Sequence, residues 1–216
     1  MRRITEFAVC DRVVVATDAA EVARAVAAAG YEVVLTSEQC GSGTERCAEV
    51  VANDEFKGFD FILNIQGDEP LVARGALVGA MARVRGGDPI GTAAGPLEAA
   101  HVADPARVKV VVDARGRAVY FSRAPIPFDR DGTGTVRYRQ HIGVYAYTRD
   151  ALTRWVQLPE VPEERWERLE QLRPLLHGVV IGVADVPDPP ARGVDTPEDL
   201  AWATTVLTRH LKEVSP

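Results

Sequence analysis

Phe61-Ile62-Leu63-Asn64-Ile65-Gln66-Gly67-Asp68-Glu69-Pro70 decides the fold. Four of its first five residues are apolar, as in a buried strand. Gly67 then lets the backbone turn, and Pro70 cannot donate to a continuing ladder. Asp68 and Glu69 therefore stand at a strand's carboxyl end, where open α/β sheets bind ligands and where a carboxylate suits magnesium beside a phosphate. On these ten residues alone, a surface turn with two solvated acids is an equal reading.

Upstream, residues 12–18 form a β-branched run that closes on Thr17 and Asp18, either of which suits a helix N-cap. Apolar residues then recur at Val22, Ala25, Val26 and Ala29, which predicts an amphipathic helix ended by Gly30. Residues 31–35 read as a second strand, and the loop 36–46 runs into a helix through about Asn53. Downstream, residues 75–84 read as a helix and 90–94 as a strand. Residues 108–113 and 118–122 are apolar runs separated by Ala114-Arg115-Gly116-Arg117, a hairpin signal. A Pro- and Gly-containing loop spans 124–137. Residues 141–147 form a strand, 162–172 a helix and 179–183 a last strand. Pro197, after Asp195 or Thr196 as cap, opens a helix with Leu200, Thr204, Leu207 and Leu211 on one face. Short apolar runs alternating with helices imply a parallel or mixed sheet covered on both faces.

With 216 residues, 46% hydrophobic and 26% charged, the chain is long enough to bury a full core as one domain, 1–216. Its net charge of -6 and the absence of basic runs argue against a nucleic-acid or anionic-membrane partner. No long apolar core of a signal peptide opens the sequence, so a cytoplasmic protein is expected. Cys10, Cys40 and Cys47 lack metal-type spacing and read as reduced thiols.

Five segments carry candidate chemistry. Gly41-Ser42-Gly43-Thr44-Glu45-Arg46 is a glycine-rich turn at a helix start, suited to anions or polar base edges, or simply a capped turn. Residues 119–130 are a strand entering a proline-braced loop that carries Arg123 and Arg130. Gln140-His141-Ile142-Gly143-Val144-Tyr145 puts His141, Gly143 and Tyr145 on one strand face by period-two alternation. Trp166 to Arg173 is a charged amphipathic segment, and Gly193-Val194-Asp195-Thr196-Pro197 a capped helix start. Together with Ile65-Gln66-Gly67-Asp68-Glu69-Pro70, these stretches resemble, in order and spacing, the CMP-Kdo synthetases (3-deoxy-manno-octulosonate cytidylyltransferases).

That resemblance implies a three-layer α/β nucleotide-diphospho-sugar transferase sheet, Rossmann-like and mixed. It also implies a smaller antiparallel portion over 107–147 that serves acid binding and dimerisation. CMP would pass from CTP to the eight-carbon sugar acid Kdo with release of pyrophosphate, for lipopolysaccharide or a related glycan. Ser42, Arg46 and Gln66 would read the cytosine. Asp68 and Asp195 would be the catalytic pair that holds Mg2+. Arg123, His141, Tyr145, Glu170 and Gln171 would line the acid site, and the enzyme would be a homodimer. Two departures from the family stand out. The position before His141, normally basic, is Gln140, with Arg139 one residue earlier. The family's opening strand and Arg/Lys-bearing phosphate loop are not found ahead of Met1-Arg2-Arg3-Ile4, so the expected sheet lacks its first strand, through a late start codon or as a degenerate homologue. A non-catalytic binding homologue, or a cytidylyltransferase for an amino-Kdo or a phosphonate, is the alternative. A metal-dependent glycosyltransferase fits less well, because Gly67-Asp68-Glu69 is not the Asp-x-Asp expected there.

Overall fold

The computed structural model describes residues 1–214 apart from Asp188, Arg192 and Asp195, with side chains as far as Arg209. In chain order the elements are α1 (Arg2–Phe7), β1 (Val15–Thr17), α2 (Ala20–Ala28), β2 (Val33–Leu35), α3 (Gly43–Ala52), β3 (Phe61–Ile65), α4 (Arg74–Arg85) and β4 (Ile90–Leu97). There follow β5 (Lys109–Val112), β6 (Ala118–Ser122), β7 (Tyr138–Thr148), α5 (Arg149–Gln157), α6 (Pro162–Glu167), α7 (Leu172–Leu176), β8 (Ile181–Asp185) and α8 (Pro197–Val214).

The main sheet runs β6-β5-β7-β4-β8, with β3 also on β7. Pairing is antiparallel except between β4 and β8, so the mixed sheet read from the sequence is present. The β5–β6 hairpin belongs to this same sheet through β7. Alternation along β7 builds the layers. Ile142, Val144 and Ala146 face the side covered by Ala76, Leu77, Ala80, Met81 and Val84 of α4. Tyr145 and Tyr147 face the other side, against Leu152 and Trp155 of α5 and Leu172 of α7. Helix α4 lies directly on β4: a Cβ at Gly91 would stand 2.1 Å from the Ala80 carbonyl oxygen, so only glycine fits.

β1 and β2 form a separate parallel pair. Arg12, just before β1, hydrogen-bonds Glu55 and lies over the Phe56 ring, just before β3. At the opposite end Arg46 of α3 holds Asp18, just after β1, while Gly43 of α3 approaches Asn64 near the end of β3. The two strands therefore run in the same direction. Among the described residues β1 pairs only with β2 and β3 only with β7, and both line one cavity of about 1110 Å3.

Several expectations need correction. The helix expected over 162–172 is broken at Arg168, whose left-handed backbone (φ 51) ends α6 by bonding its N–H to the Glu164 carbonyl; residues 168–171 form a turn before α7. Helix α2 uses neither Thr17 nor Asp18 as cap: its N-cap is Ala19, and the Thr17 hydroxyl instead accepts from the Ala19 N–H in a local turn. The last strand lies two residues later than read, at β8. In α8, Leu200 is 59% exposed and Thr204 is also exposed, while Ala203 is buried and Leu207 half-buried, so the first turns of the packed stripe are rotated from the one expected; the Leu211 side chain lies outside the described residues.

The edges give a test. The Val15 N–H donates to Glu32 on the β2 side, so the Ala16 N–H points into the cavity; Arg149 donates to the Asp60 carbonyl, so by the same alternation Leu63 does too. Hydrogen exchange on residues 1–216 should show the Ala16 and Leu63 amides exchanging roughly a hundredfold faster than those of Val15 and Ile62. Equal protection would show that these edges are covered.

Candidate functional site

Strand β7 changes neighbour along one edge: it pairs with β3 from Val144 to Thr148 and with β5 at Gln140. Gly143 lies in the fork between them. Against the other edge, Thr92 opposes Tyr145 while Ala93 opposes Ile142, so β7 carries a bulge at residues 143–144. The Thr92 hydroxyl fills the gap in the ladder by donating to the Val144 carbonyl at 2.7 Å, with the Ile142 carbonyl at 3.3 Å. Bulges commonly re-aim side chains beside functional sites. Over this one stand Gln66 and Glu69: a Cβ at Gly143 would lie 3.6 Å from Glu69 Oε1 and 3.7 Å from the Gln66 amide.

The turn after β3 also gathers the distant chain. Val194 donates its N–H to the Asp68 carbonyl at 2.8 Å, and a Cβ at Gly193 would lie 3.6 Å from that oxygen and 3.8 Å from Glu69 Oε1. The segment just before Asp195 is thus fastened to Asp68; Asp195 itself lies outside the described residues. Among the described residues no three His, Cys, Asp or Glu groups form a ready-made metal cage. Hard carboxylate oxygens on this turn still suit magnesium, which usually takes one or two carboxylates and completes its shell with water and phosphate.

Beside this turn is the first turn of α3. Ser42 caps it by accepting from the Glu45 N–H at 3.2 Å, and Glu45 accepts in return from Gly41 at 2.6 Å. Arg46 donates to Thr36 Oγ1 at 2.5 Å and to Asp18 Oδ2 at 3.0 Å, which fixes the plane of its guanidinium. That hydrogen bond holds the Asp18 carboxyl below the usual range. Arg46, Gln66, Asp68 and Glu69 all line the large cavity. Three of the residues read from the sequence as base-binding or metal-binding (Arg46, Gln66, Asp68) are therefore brought together, with Ser42 at the same helix start.

On the α5 side of the sheet, aromatic and polar groups form a second cluster. The rings of His141 and Tyr145 are 5.3 Å apart, and Tyr145 stacks on Tyr147 at 6.0 Å and 13°. Thr92 spends its proton on Val144, so His141 Nε2, 2.9 Å from Thr92 Oγ1, is the donor of that pair. The half-buried imidazole meets Phe121 edge-on and lies against Tyr145, and burial pushes its pKa down to about 3. The buried Tyr145 hydroxyl has no hydrogen-bond partner among the described residues. Thr44 donates to Glu170 Oε1 at 3.0 Å and lies 3.4 Å from the Tyr147 hydroxyl. Burial pushes the Glu170 carboxyl up, partly offset by bonds from the Ser42 and Thr44 hydroxyls. Gln171, next to it, is buried.

Arg123 stands at the flank of this cluster. Its guanidinium donates to the carbonyls of Glu167 (2.6 Å), Pro105 (2.8 Å) and Arg168 (3.3 Å). The Glu167 carboxylate accepts from Ser122 Oγ and from the Arg123 N–H. Beneath them the fully buried Lys109 ammonium donates to the carbonyls of Asp104 and Arg123. Arg139 is paired with Asp185 at 2.7 Å, and Gln140 accepts from Arg107 at 3.0 Å. Sequence reasoning missed Thr44 and Arg107. Thr44 was masked by its place in a capping turn, and Arg107 reaches Gln140 only through the sheet register.

A family model described as cytidylyltransferase matches residues 1–181. A 3-deoxy-manno-octulosonate cytidylyltransferase of Gemmatimonas aurantiaca is 50% identical over 209 residues, covering 94% of this chain and 81% of the relative. Proteins of the same name from Sodalis glossinidius (46% over 199 residues; 88% and 79% covered) and Syntrophobacter fumaroxidans (47% over 204; 92% and 81%) are also similar. A solved CMP:2-keto-3-deoxy-manno-octonic acid synthetase complexed with CTP superposes with a TM-score of 0.89 at 37% identity, covering 97% of this chain and 86% of that one.

The state of His141 is open to measurement. Its NMR ring signals should stay those of a neutral imidazole from pH 8 to 5. Its folded pKa is depressed, so the unfolded chain takes up a proton that the fold refuses; the stability this residue contributes is present above pH 6.5 and lost as pH falls below it. Chemical unfolding at pH 7 and pH 5 should show a smaller loss in His141→Phe than in the parent, and a midpoint of titration near 6.5 would show that its pKa is not depressed.

Proposed function

This chain belongs to the cytidylyltransferase family, and on that footing we propose that it joins CMP from CTP to 3-deoxy-manno-octulosonate, releasing pyrophosphate. The observation that carries this reading is the fork at Gly143: it lies on the same face of β7 as His141 and Tyr145, directly under Gln66 and Glu69, and Gln66, Asp68 and Arg46 of α3 line one cavity. The relatives' names supply the choice of acid. No helix of the described residues is long and apolar enough to cross a membrane, and the reading places the enzyme in the cytoplasm as a homodimer in lipopolysaccharide or related glycan synthesis.

The anomeric hydroxyl oxygen of the acid attacks the α-phosphorus; the bond from that phosphorus to the pyrophosphate oxygen breaks, and the hydroxyl proton is lost to solvent. No protein nucleophile takes part, so the chain's task is to bind and orient. Ser42, Arg46 and Gln66 lie against the cytosine, where a base lacking the right amino and carbonyl groups leaves buried polar groups unpaired. Arg46 is already held by Thr36 and Asp18, so little rotamer freedom remains to be lost. Asp68 and Asp195 would hold magnesium, which when bound would offset phosphate charge. Tyr145 offers an unused phenol proton, and Glu170 and Gln171 accept from and donate to the acid's hydroxyls. Arg123 takes the carboxylate by releasing the Arg168 carbonyl, the longest of its three bonds.

Calorimetric titration should rank CTP above UTP, ATP and GTP; equal affinities would remove the base-reading role. Pyrophosphate release in the presence of Kdo should stop on chelation of magnesium. It should also fall at least about a hundredfold in Asp68→Asn with a nearly unchanged melting temperature. Binding of CTP and Kdo by the parent without turnover would identify a binding homologue instead.

A further inference from the structure

We propose that Thr44, which stands in the loop on the nucleotide side, is a positioning residue for the acceptor acid. The inference rests on the functional reading above for the roles of Glu170, Gln171 and Tyr145. Its basis is the direction Thr44 takes. Arg46 reaches toward Asp18 and Thr36, and Ser42 caps the helix while also bonding Glu170, whereas Thr44 is 0% exposed and turns wholly into the core. There it donates to Glu170 Oε1 at 3.0 Å, and the Tyr147 hydroxyl at 3.4 Å completes an ordered pair, Tyr147 donating to Thr44 and Thr44 to the carboxylate.

Glu170 needs this bond because of where it sits. The break at Arg168 leaves residues 168–171 as a turn between α6 and α7, without a helical ladder to fix the Glu170 side chain. Its carboxylate is aimed inward, where a missing donor is costly. Gln171 follows in the same turn, and Tyr147 stacks on Tyr145, whose ring meets His141. The Thr44 hydroxyl, alongside that of Ser42 at the cap, therefore sets the orientation of the turn, and through Tyr147 it alone also steadies the aromatic row that faces the acid. A support for α3 alone would have a different signature, since α3 carries the base-side residues.

The test separates substrates. Thr44→Val keeps the shape and removes the hydroxyl. It should raise the Kdo KM roughly tenfold and leave the CTP KM within about twofold, and Thr44→Ser should restore the parent value. Equal rises for both substrates, a rise for CTP alone, or no change would overturn the proposal. Should Thr44→Val fail to fold, Tyr147→Phe removes the other hydroxyl of the pair and should raise the Kdo KM roughly threefold; no change there would equally overturn it. Calorimetric Kdo affinity gives the same comparison without turnover. Kdo binding by an inactive parent would defeat the catalytic reading while still testing Thr44, and unchanged Kdo affinity in Thr44→Val would defeat this inference while leaving the catalytic reading intact.

Discussion

The hydrogen-bond ladder of β7 is the constraint on which the rest of the structure depends. This one strand takes β4 along one edge and two different strands, β3 and β5, along the other. A ladder cannot be continuous where its neighbour changes, and the bulge opposite Thr92 marks that discontinuity on the second edge as well. The Thr92 side chain makes the irregular backbone affordable by accepting and donating where a partner strand would. What is left is a short length of backbone with glycine at its centre, walled by Gln66 and Glu69 from the turn after β3. A site arises there because pairing fails at a fixed place, and the flanking ladders keep that place rigid.

Two helix starts complete the surroundings by different means. The α3 start is fixed by reciprocal capping between Ser42, Glu45 and Gly41, which leaves its side chains free to diverge. The turn before α7 has no such cap and is fixed from outside, by Thr44 below and by the Glu164–Arg173 ion pair, at 2.7 Å, beside it. Nucleotide side and acid side are therefore not independent surfaces that happen to adjoin: a buried hydrogen bond joins them.

Much of this was legible in the sequence, for physical reasons that can be named. Phe61 to Pro70 gave the strand and turn because apolar burial, a glycine and a proline act locally. The hairpin at 114–117 and a capped turn at 41–46 are equally local. The break at Arg168 was not legible, since nothing in Trp166 to Arg173 forbids a continuous helix; a left-handed residue there is imposed by packing and by the bond to Glu164. Thr196 closes the cap of α8 with Asp199, by side chain and backbone in both directions. Arg107 reaching Gln140 and Thr44 reaching Glu170 depend on register between segments 33 and 126 residues apart, and composition carries no trace of either. The roles assigned to individual site residues came from resemblance to a family; the geometry adds where each side chain is held.

Lys109 carries a consequence for chemistry on the protein itself. The chain has only three lysines, Lys57, Lys109 and Lys212, and Lys57 is well exposed. Lys109 is fully enclosed, its ammonium held by two carbonyls and its pKa lowered by burial. An amine-selective reagent therefore meets Lys57 at once but reaches Lys109 only when the β5–β6 hairpin lifts from the loop at Asp104. Covalent modification at that one position becomes a clock for the opening of the wall beside the acid pocket.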